Sequence, residues 1–203
     1  ARLWRQRRVS EASPDAAAML KEGGKADDER AMTSGGAAMV VRLLGPDDVD
    51  IFRRIRLEAL RLEPQAFASR LEDWEGLAEE EWLRRLTENP VFVAFHAGEP
   101  VGIMGLIRQR SSKMAHRATL VMVYVREQLR GNGFGTALLD ALTGHARMLG
   151  IRQLELAVSA ENPAAVAFYR REGFAEIGRI PGGFLHEGRE IDEIMMARRI
   201  AVL

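Results

Sequence analysis

The chain has 203 residues, 47% of them apolar, and its 29 basic side chains balance its 29 acidic ones. That balance excludes a global field drawing the protein to nucleic acid or to a membrane surface. With no cysteine there is no disulfide, thiolate metal site or cysteine nucleophile, and no apolar run reaches the ~18 residues of a membrane span.

The length suits one domain or a small pair. Residues 1–38 differ from the rest. Arg2, Arg5, Arg7 and Arg8 resemble the start of a targeting peptide, but no apolar core region follows and Glu11 and Asp15 turn the segment acidic. Ser13, Pro14 and Gly23 could cap, start and stop a short helix. The expected state of residues 1–38 is a poorly ordered extension. Met39 opens the first strand-like run and is a candidate natural start, so the domain is expected over residues 39–203.

From Met39 the elements alternate. Met39 to Leu44 (MVVRLL) reads as a strand and Gly45-Pro46-Asp47-Asp48 as a stop followed by a helix start. Ile51, Phe52, Ile55, Leu57, Leu60 and Leu62 then follow helical spacing up to Pro64. Gln65 to Gly76 is loop-like, and Glu79 to Leu86 reads as a second helix whose Glu79-Glu80-Glu81 start suits the helix dipole. Trp74 and Trp82 read as core or cleft-wall residues. Val91 to Phe95 and Val101 to Ile107 flank a turn at Ala97-Gly98-Glu99-Pro100 and predict a hairpin. His116 to Val125 is a third strand. Helical spacing returns from Phe134 through Leu138, Leu142 and Leu149. Gln153 to Ser159 alternates strictly, Asn162-Pro163 opens a helix that stops near Gly173, and two strands, Ala175 to Ile180 and Arg189 to Arg199, are separated by a Pro181-Gly182-Gly183 turn. The order predicts an α/β (α+β) chain built around one mixed sheet.

Between the third strand and the helix at Phe134 lie three glycines, Gly131, Gly133 and Gly135. Glycine lets consecutive amides approach a ligand without an intervening Cβ. Amides at a helix start lack intrahelical partners, and the dipole there favours anions. Strand, glycine loop and apolar helix therefore describe a phosphate cradle, with Arg130 adding charge at its mouth. No lysine follows Gly135, as a Walker loop would need, and the glycine spacing fails the dinucleotide fingerprint. A pyrophosphate held by backbone alone, without metal, remains, against the plainer reading of a glycine-rich turn. His96, His116, His145 and His186 show no metal-ligand spacing, so no metal is expected.

The stretch Arg130-Gly131-Asn132-Gly133-Phe134-Gly135 matches the signature Arg/Gln-x-x-Gly-x-Gly/Ala. Asn162 to Phe174 (NPAAVAFYRREGF) matches a second block, Asn-x-x-Ala-x-x-Phe/Tyr-Tyr-x-x-x-Gly-Phe. On these two motifs the chain, over roughly Met39 to Arg199, resembles the GNAT superfamily of acetyl-CoA-dependent N-acetyltransferases. Arg56 to Leu60 and Pro64 to Phe67 are similar to one bacterial branch of it. The resemblance implies a twisted, mostly antiparallel sheet flanked by helices, with two central strands splayed around the pantetheine arm of acetyl-CoA. Val123 and Val125 would supply main-chain bonds to that arm, Arg130, Gly131, Asn132, Gly133, Phe134, Gly135 and Thr136 would bind the pyrophosphate, and Asn162 would lie near the pantetheine end, cap its helix, or both.

Within that motif Tyr169 is the candidate general acid, since a phenol of pKa ~10 can protonate a leaving thiolate without a steep climb. The base that frees the amine is open among Tyr124, Glu155 and His116. The function implied is direct transfer of acetyl from acetyl-CoA to a primary amine, of a small molecule or a protein, through a ternary complex. The absence of a cysteine agrees with direct attack. A non-catalytic acyl-CoA sensor is the alternative. A cytoplasmic enzyme with no nucleic-acid or membrane partner is expected, and a homodimer is compatible with the family.

Overall fold

The computed structural model describes residues 38–201, and the N-terminal segment lies outside them apart from its last residue. Seven strands form one sheet: β1 (Met39–Leu43), β2 (Val91–His96), β3 (Glu99–Arg108), β4 (Arg117–Val125), β5 (Gln153–Ser159), β6 (Ala175–His186) and β7 (Arg189–Arg199). Their order is β1-β2-β3-β4-β5-β7-β6, antiparallel throughout except where β4 lies parallel to β5. Five helices complete the fold: α1 (Val49–Leu62), α2 (Glu72–Glu75), α3 (Glu79–Glu88), α4 (Phe134–Met148) and α5 (Pro163–Arg171). The segment expected as a loop, 65–76, thus carries one helical turn, α2.

Alternation along the central strands sends successive side chains to opposite faces. Val91 and Val93 of β2 join the cluster of α1, α2 and α3, built on Phe52, Ile55, Leu60, Trp74 and Trp82. Phe92 and Ala94 join the cluster of α4 and α5, built on Leu138, Leu139, Leu142, Val166 and Tyr169. Trp74 and Trp82 are both buried in the first of these clusters. Phe52 meets the Trp74 and Trp82 rings edge-on, at 6.1 and 5.3 Å between centroids.

One boundary differs from expectation. Pro181-Gly182-Gly183 is not the turn between the last two strands. It is an irregularity inside β6, where the register against β7 shifts between Ile180 and Phe184, and the turn falls at Glu187 and Gly188. Because β6 is the edge of the sheet, the amide that proline lacks removes no inner ladder bond. The Gly182 amide instead donates to Asp192 Oδ1 at 2.9 Å. At Gly183 a side chain would collide with Glu193, whose Cγ lies 2.7 Å from the position a Cβ would take.

Candidate active site

The site begins with a bulge. Met122 has φ 56°, and the register of β3 on β4 jumps there from Gly105↔Val121 to Ile103↔Tyr124, so three residues of β4 span two of β3. An inserted residue reverses which side of the strand each later residue faces. Before the bulge, Ala118 and Leu120 point their side chains toward α4; after it, Val123 and Val125 do, while Met122 and Tyr124 point toward α1. The main chain turns over in step. The Arg126 amide donates to Val101 O of β3 at 2.9 Å. Tyr124, two residues earlier, therefore also bonds toward β3, and the main-chain groups of Val123 and Val125 face away from it, toward β5.

Pairing with β5 has ended by then. The parallel ladder holds only at Arg117↔Gln153, Ala118↔Leu154 and Thr119↔Glu155, whereas β5 stays paired with β7 along its whole length. The two strands therefore part beyond Thr119, and a cavity of about 480 Å³ opens between them, lined by Thr119 to Val123 on one side and Ala157 to Ser159 on the other. Asn162 and Tyr169 of the α5 region also line it, and it extends under α1 to Arg56, Phe67, Trp74 and Arg85.

At the head of α4 the glycines divide the work. Gly131 and Gly133 have φ of 81° and 87°, a region costly to any side chain, and Gly133 caps the helix. Gly135 does something else: a Cβ there would stand 3.2 Å from the Phe168 ring, so its bareness lets α5 pack against α4. The first intrahelical bond runs from the Ala137 amide to Gly133 O at 2.9 Å, so the amides of Phe134, Gly135 and Thr136 have no acceptor within the helix. These amides, at the positive end of a fifteen-residue helix, could hold a diphosphate.

The side chains around them are less free than the sequence reading expects. Arg130 folds back, its Nε donating to Val125 O at 3.0 Å and its Nη2 pairing with Glu63. Thr136 Oγ1 donates to Glu172 Oε1 at 2.7 Å, the Asn132 main-chain N–H donates to Leu129 O at 3.4 Å, and the Phe134 ring is core, edge-on to His96 at 5.7 Å.

Tyr169 lies beside the gap, almost wholly buried among Phe168 and Phe174 at 5.2 and 5.6 Å, and forms no side-chain hydrogen bond among the described residues. Burial alone pushes its phenol well above the usual tyrosine range, so it holds its proton at any ordinary pH. Asn162 does cap its helix, accepting the Ala165 amide at 3.0 Å, and lines the cavity as well.

The base candidates have partners of their own. Glu155 is gripped by Arg117, whose Nη2 donates to Oε2 at 2.7 Å, with Gln153 Nε2 donating at 2.6 Å; the Arg117 bonds hold its carboxyl below the usual range. It sits where β4 and β5 are still paired and does not line the cavity. Tyr124 opens on a second pocket, with Glu58 and Arg126, and donates to Glu58 Oε1 at 3.2 Å. Burial, then the Glu58 charge, pushes its phenol up to about 12, the wrong direction for a base. His116 precedes β4 and gives its carbonyl to the amides of Arg152 and Gln153, at 2.8 and 3.2 Å.

Three residues given no site role by the sequence shape or line the cavity: Met122, which reverses the strand; Arg56, a buried cation on its wall; and Glu193, the one carboxylate among its lining residues. Helical spacing marks Arg56 as the neighbour of Ile55, and strict strand alternation puts Glu193 beside Ile194, but neither pattern reports a cavity.

A splayed parallel pair, a bulged strand with main chain facing the gap and a glycine-headed helix together define a coenzyme-binding acyl-transfer fold. The family model of the acetyltransferase (GNAT) family matches residues 54–174, and the chain belongs to that family. Among curated relatives it is 31% identical over 138 residues to an uncharacterized N-acetyltransferase of Methanocaldococcus jannaschii, covering 67% of this chain and 60% of the relative. It is 33% identical over 108 residues to the L-methionine sulfoximine/L-methionine sulfone acetyltransferase of Pseudomonas aeruginosa, covering 53% and 63% respectively. The chain thus spans about 60% of the length of these relatives. Among solved structures, a GNAT acetyltransferase of Streptococcus pneumoniae superposes with a TM-score of 0.71 at 25% identity, over 80% of this chain and 99% of that one. A phosphinothricin acetyltransferase of Sinorhizobium meliloti in complex with AcCoA shares the fold at a TM-score of 0.68 and 24% identity, over 80% and 89%.

Proposed function

We propose that the protein transfers an acetyl group from acetyl-CoA directly to the primary amine of a small molecule. The observation that carries this reading is the parting of β4 from β5 beyond Thr119, with unpaired main chain on one wall and the Tyr169 side chain beside it. The residues present fit the coenzyme. Val123 and Val125 would pair with its extended arm as a neighbouring strand would, and the amides of Phe134, Gly135 and Thr136, shaped by Gly131, Asn132 and Gly133, would receive the diphosphate. Arg130, now turned onto Val125 O and Glu63, would have to release that carbonyl or leave the arm to the other main-chain groups. Asn162 would border the arm's reactive end. Acetyl-CoA supplies an activated thioester whose departing sulfur needs a proton or a stabilising donor. Tyr169, neutral and without a hydrogen-bond partner, is placed to be that donor.

An ammonium cannot attack, so the acceptor must lose a proton first. In this reading Glu193 takes that role. It lies on β7 opposite Ser159, lines the cavity, and has no ion pair or side-chain hydrogen bond among the described residues. Its carboxylate can hold the ammonium and accept the proton directly or through water. The L-methionine sulfoximine/L-methionine sulfone acetyltransferase named above and a spermidine N(1)-acetyltransferase of Vibrio cholerae, 30% identical over 91 residues, are named for small molecules, which supports a small acceptor. The test is thiol release from acetyl-CoA across a panel of primary amines, with the acetylated product identified by mass. Coenzyme binding without acetylation of any amine would leave the fold intact and remove the reading.

A further inference from the structure

The acceptor end of the cavity is built around a cation that the protein itself leaves unpartnered. Arg56, on α1, is only 3% exposed, yet its Nε and Nη1 find no hydrogen-bond acceptor among the described residues. Its guanidinium stands over the Phe67 ring at 4.8 Å and the Trp74 ring at 4.5 Å. A second cation, Arg85, stands over the same indole at 4.3 Å and lines the same cavity. Arg85 has a partner, Glu81, at 2.7 Å; Arg56 has none. Burial, then the charge of Arg85, lowers the Arg56 pKa to about 10, so Arg56 remains cationic at neutral pH. Stacking on aromatic faces offsets part of the cost of burying a guanidinium, but it leaves N–H groups with nothing to receive them. The one carboxylate lining the cavity, Glu193, belongs to β7 on the far side of the gap. One region of the cavity therefore lacks an anion, and another can take an ammonium.

Resting on the acetyltransfer reading, we propose that the acceptor is a small amine that also bears a compact oxyanion, a carboxylate or phosphonate, seated on Arg56 with Arg85 beside it and with its amine toward Glu193. A guanidinium gives such a group charge-assisted N–H bonds, which a neutral amide or a second amine cannot match. The aromatic walls, Phe52, Phe67 and Trp74, suit the apolar part of such a molecule. A polyamine would bring a second cation against Arg56 and Arg85.

The test uses the full chain and matched acceptors: α-amino acids, their neutral carboxamides, the corresponding aminophosphonates, and spermidine. Acids and phosphonates are expected to exceed the carboxamides in kcat/KM by about tenfold or more, and spermidine to be poorest. Arg56→Met is expected to raise KM for the acids by about tenfold while leaving the carboxamides within about twofold, with part of the loss restored by Arg56→Lys. Acetyl-CoA affinity, read by calorimetry, is expected to be unchanged in both variants. A second readout does not depend on turnover: indole fluorescence, with Trp74 the indole that lines the cavity, should respond to a short carboxylic acid in the wild type and not in Arg56→Met, nor fully in Arg85→Gln. Carboxamides or spermidine acetylated as well as the acids, or an acid KM indifferent to Arg56, would overturn the proposal while leaving acetyl transfer standing. Failure of the wild type to bind acetyl-CoA would overturn acetyl transfer, and the fluorescence titration would still decide the anion seat.

Discussion

The two faces of the sheet bind by different means. On the α4 and α5 face the groups that would meet the coenzyme are main-chain amides and carbonyls, and the side chains nearby are packed or already engaged, such as Phe134, Thr136 and Arg130. On the α1 and α3 face the cavity is walled by charged and aromatic side chains, Arg56, Arg85 and Trp74 among them. Main-chain recognition depends on backbone geometry and tolerates many side chains. Side-chain recognition depends on which residue stands at each position, so one face can keep a common ligand while the other changes its acceptor.

If the contrast is right, the largest effect comes from disturbing backbone at the α4 head. Gly133→Asp forces a side chain into φ 87° and sets a carboxylate where an anion would bind. Acetyl-CoA affinity is expected to fall by about a hundredfold or more, and an unchanged calorimetric isotherm would end the comparison. Tyr169→Phe should leave coenzyme affinity alone and lower kcat by about a hundredfold, the usual scale for a lost proton donor. Because burial raises the Tyr169 pKa, the phenol is protonated on both sides of pH 10. No alkaline fall in kcat should begin near the ordinary tyrosine value of ~10, and such a fall would place the donor elsewhere.

Smaller effects probe the scaffold between the faces. A Cβ at Gly102 would stand 3.0 Å from Tyr124 O and 3.2 Å from Leu138 and Val125 side chains. Gly102→Ala should therefore cost about 1–3 kcal/mol in denaturant unfolding and disturb the coenzyme face more than the acceptor face. Glu58 ties α1 to the end of β4, accepting from Arg126 at 2.6 and 2.7 Å and from Tyr124. The Arg126 bonds lower its pKa in the folded protein, so its contribution is complete above the unfolded glutamate value of ~4.3 and is lost as pH falls through the folded one. Glu58→Gln should cost about 1 kcal/mol at neutral pH, and the difference from wild type should vanish in acid; a difference that persists at low pH would assign Glu58 a packing role instead.

Much of the coenzyme face can be read from the sequence because its requirements are local. Gly131 and Gly133 must be glycine for conformation, Asn162 caps the helix that Pro163 opens, and both constraints lie within a few consecutive residues. Gly135 looks equivalent in sequence, yet its reason is the Phe168 ring of another helix. The partners of the base candidates are set by the same kind of long-range contact. Tyr124 and Glu155 lie on strands that border the cleft, but the strand's inserted residue turns Tyr124 toward Glu58, and an arginine 38 positions away takes Glu155.

Local chemistry in the chain determined the elements, their alternation, the glycine-headed helix and the family they mark, since periodicity, caps and positive φ are properties of short segments. The tertiary structure alone decided where β4 reverses its faces, which carboxylate reaches the cavity, and that Arg56 is buried without an acceptor. Those depend on which distant strands and helices come together, and a pairwise contact across the fold leaves no period in the sequence.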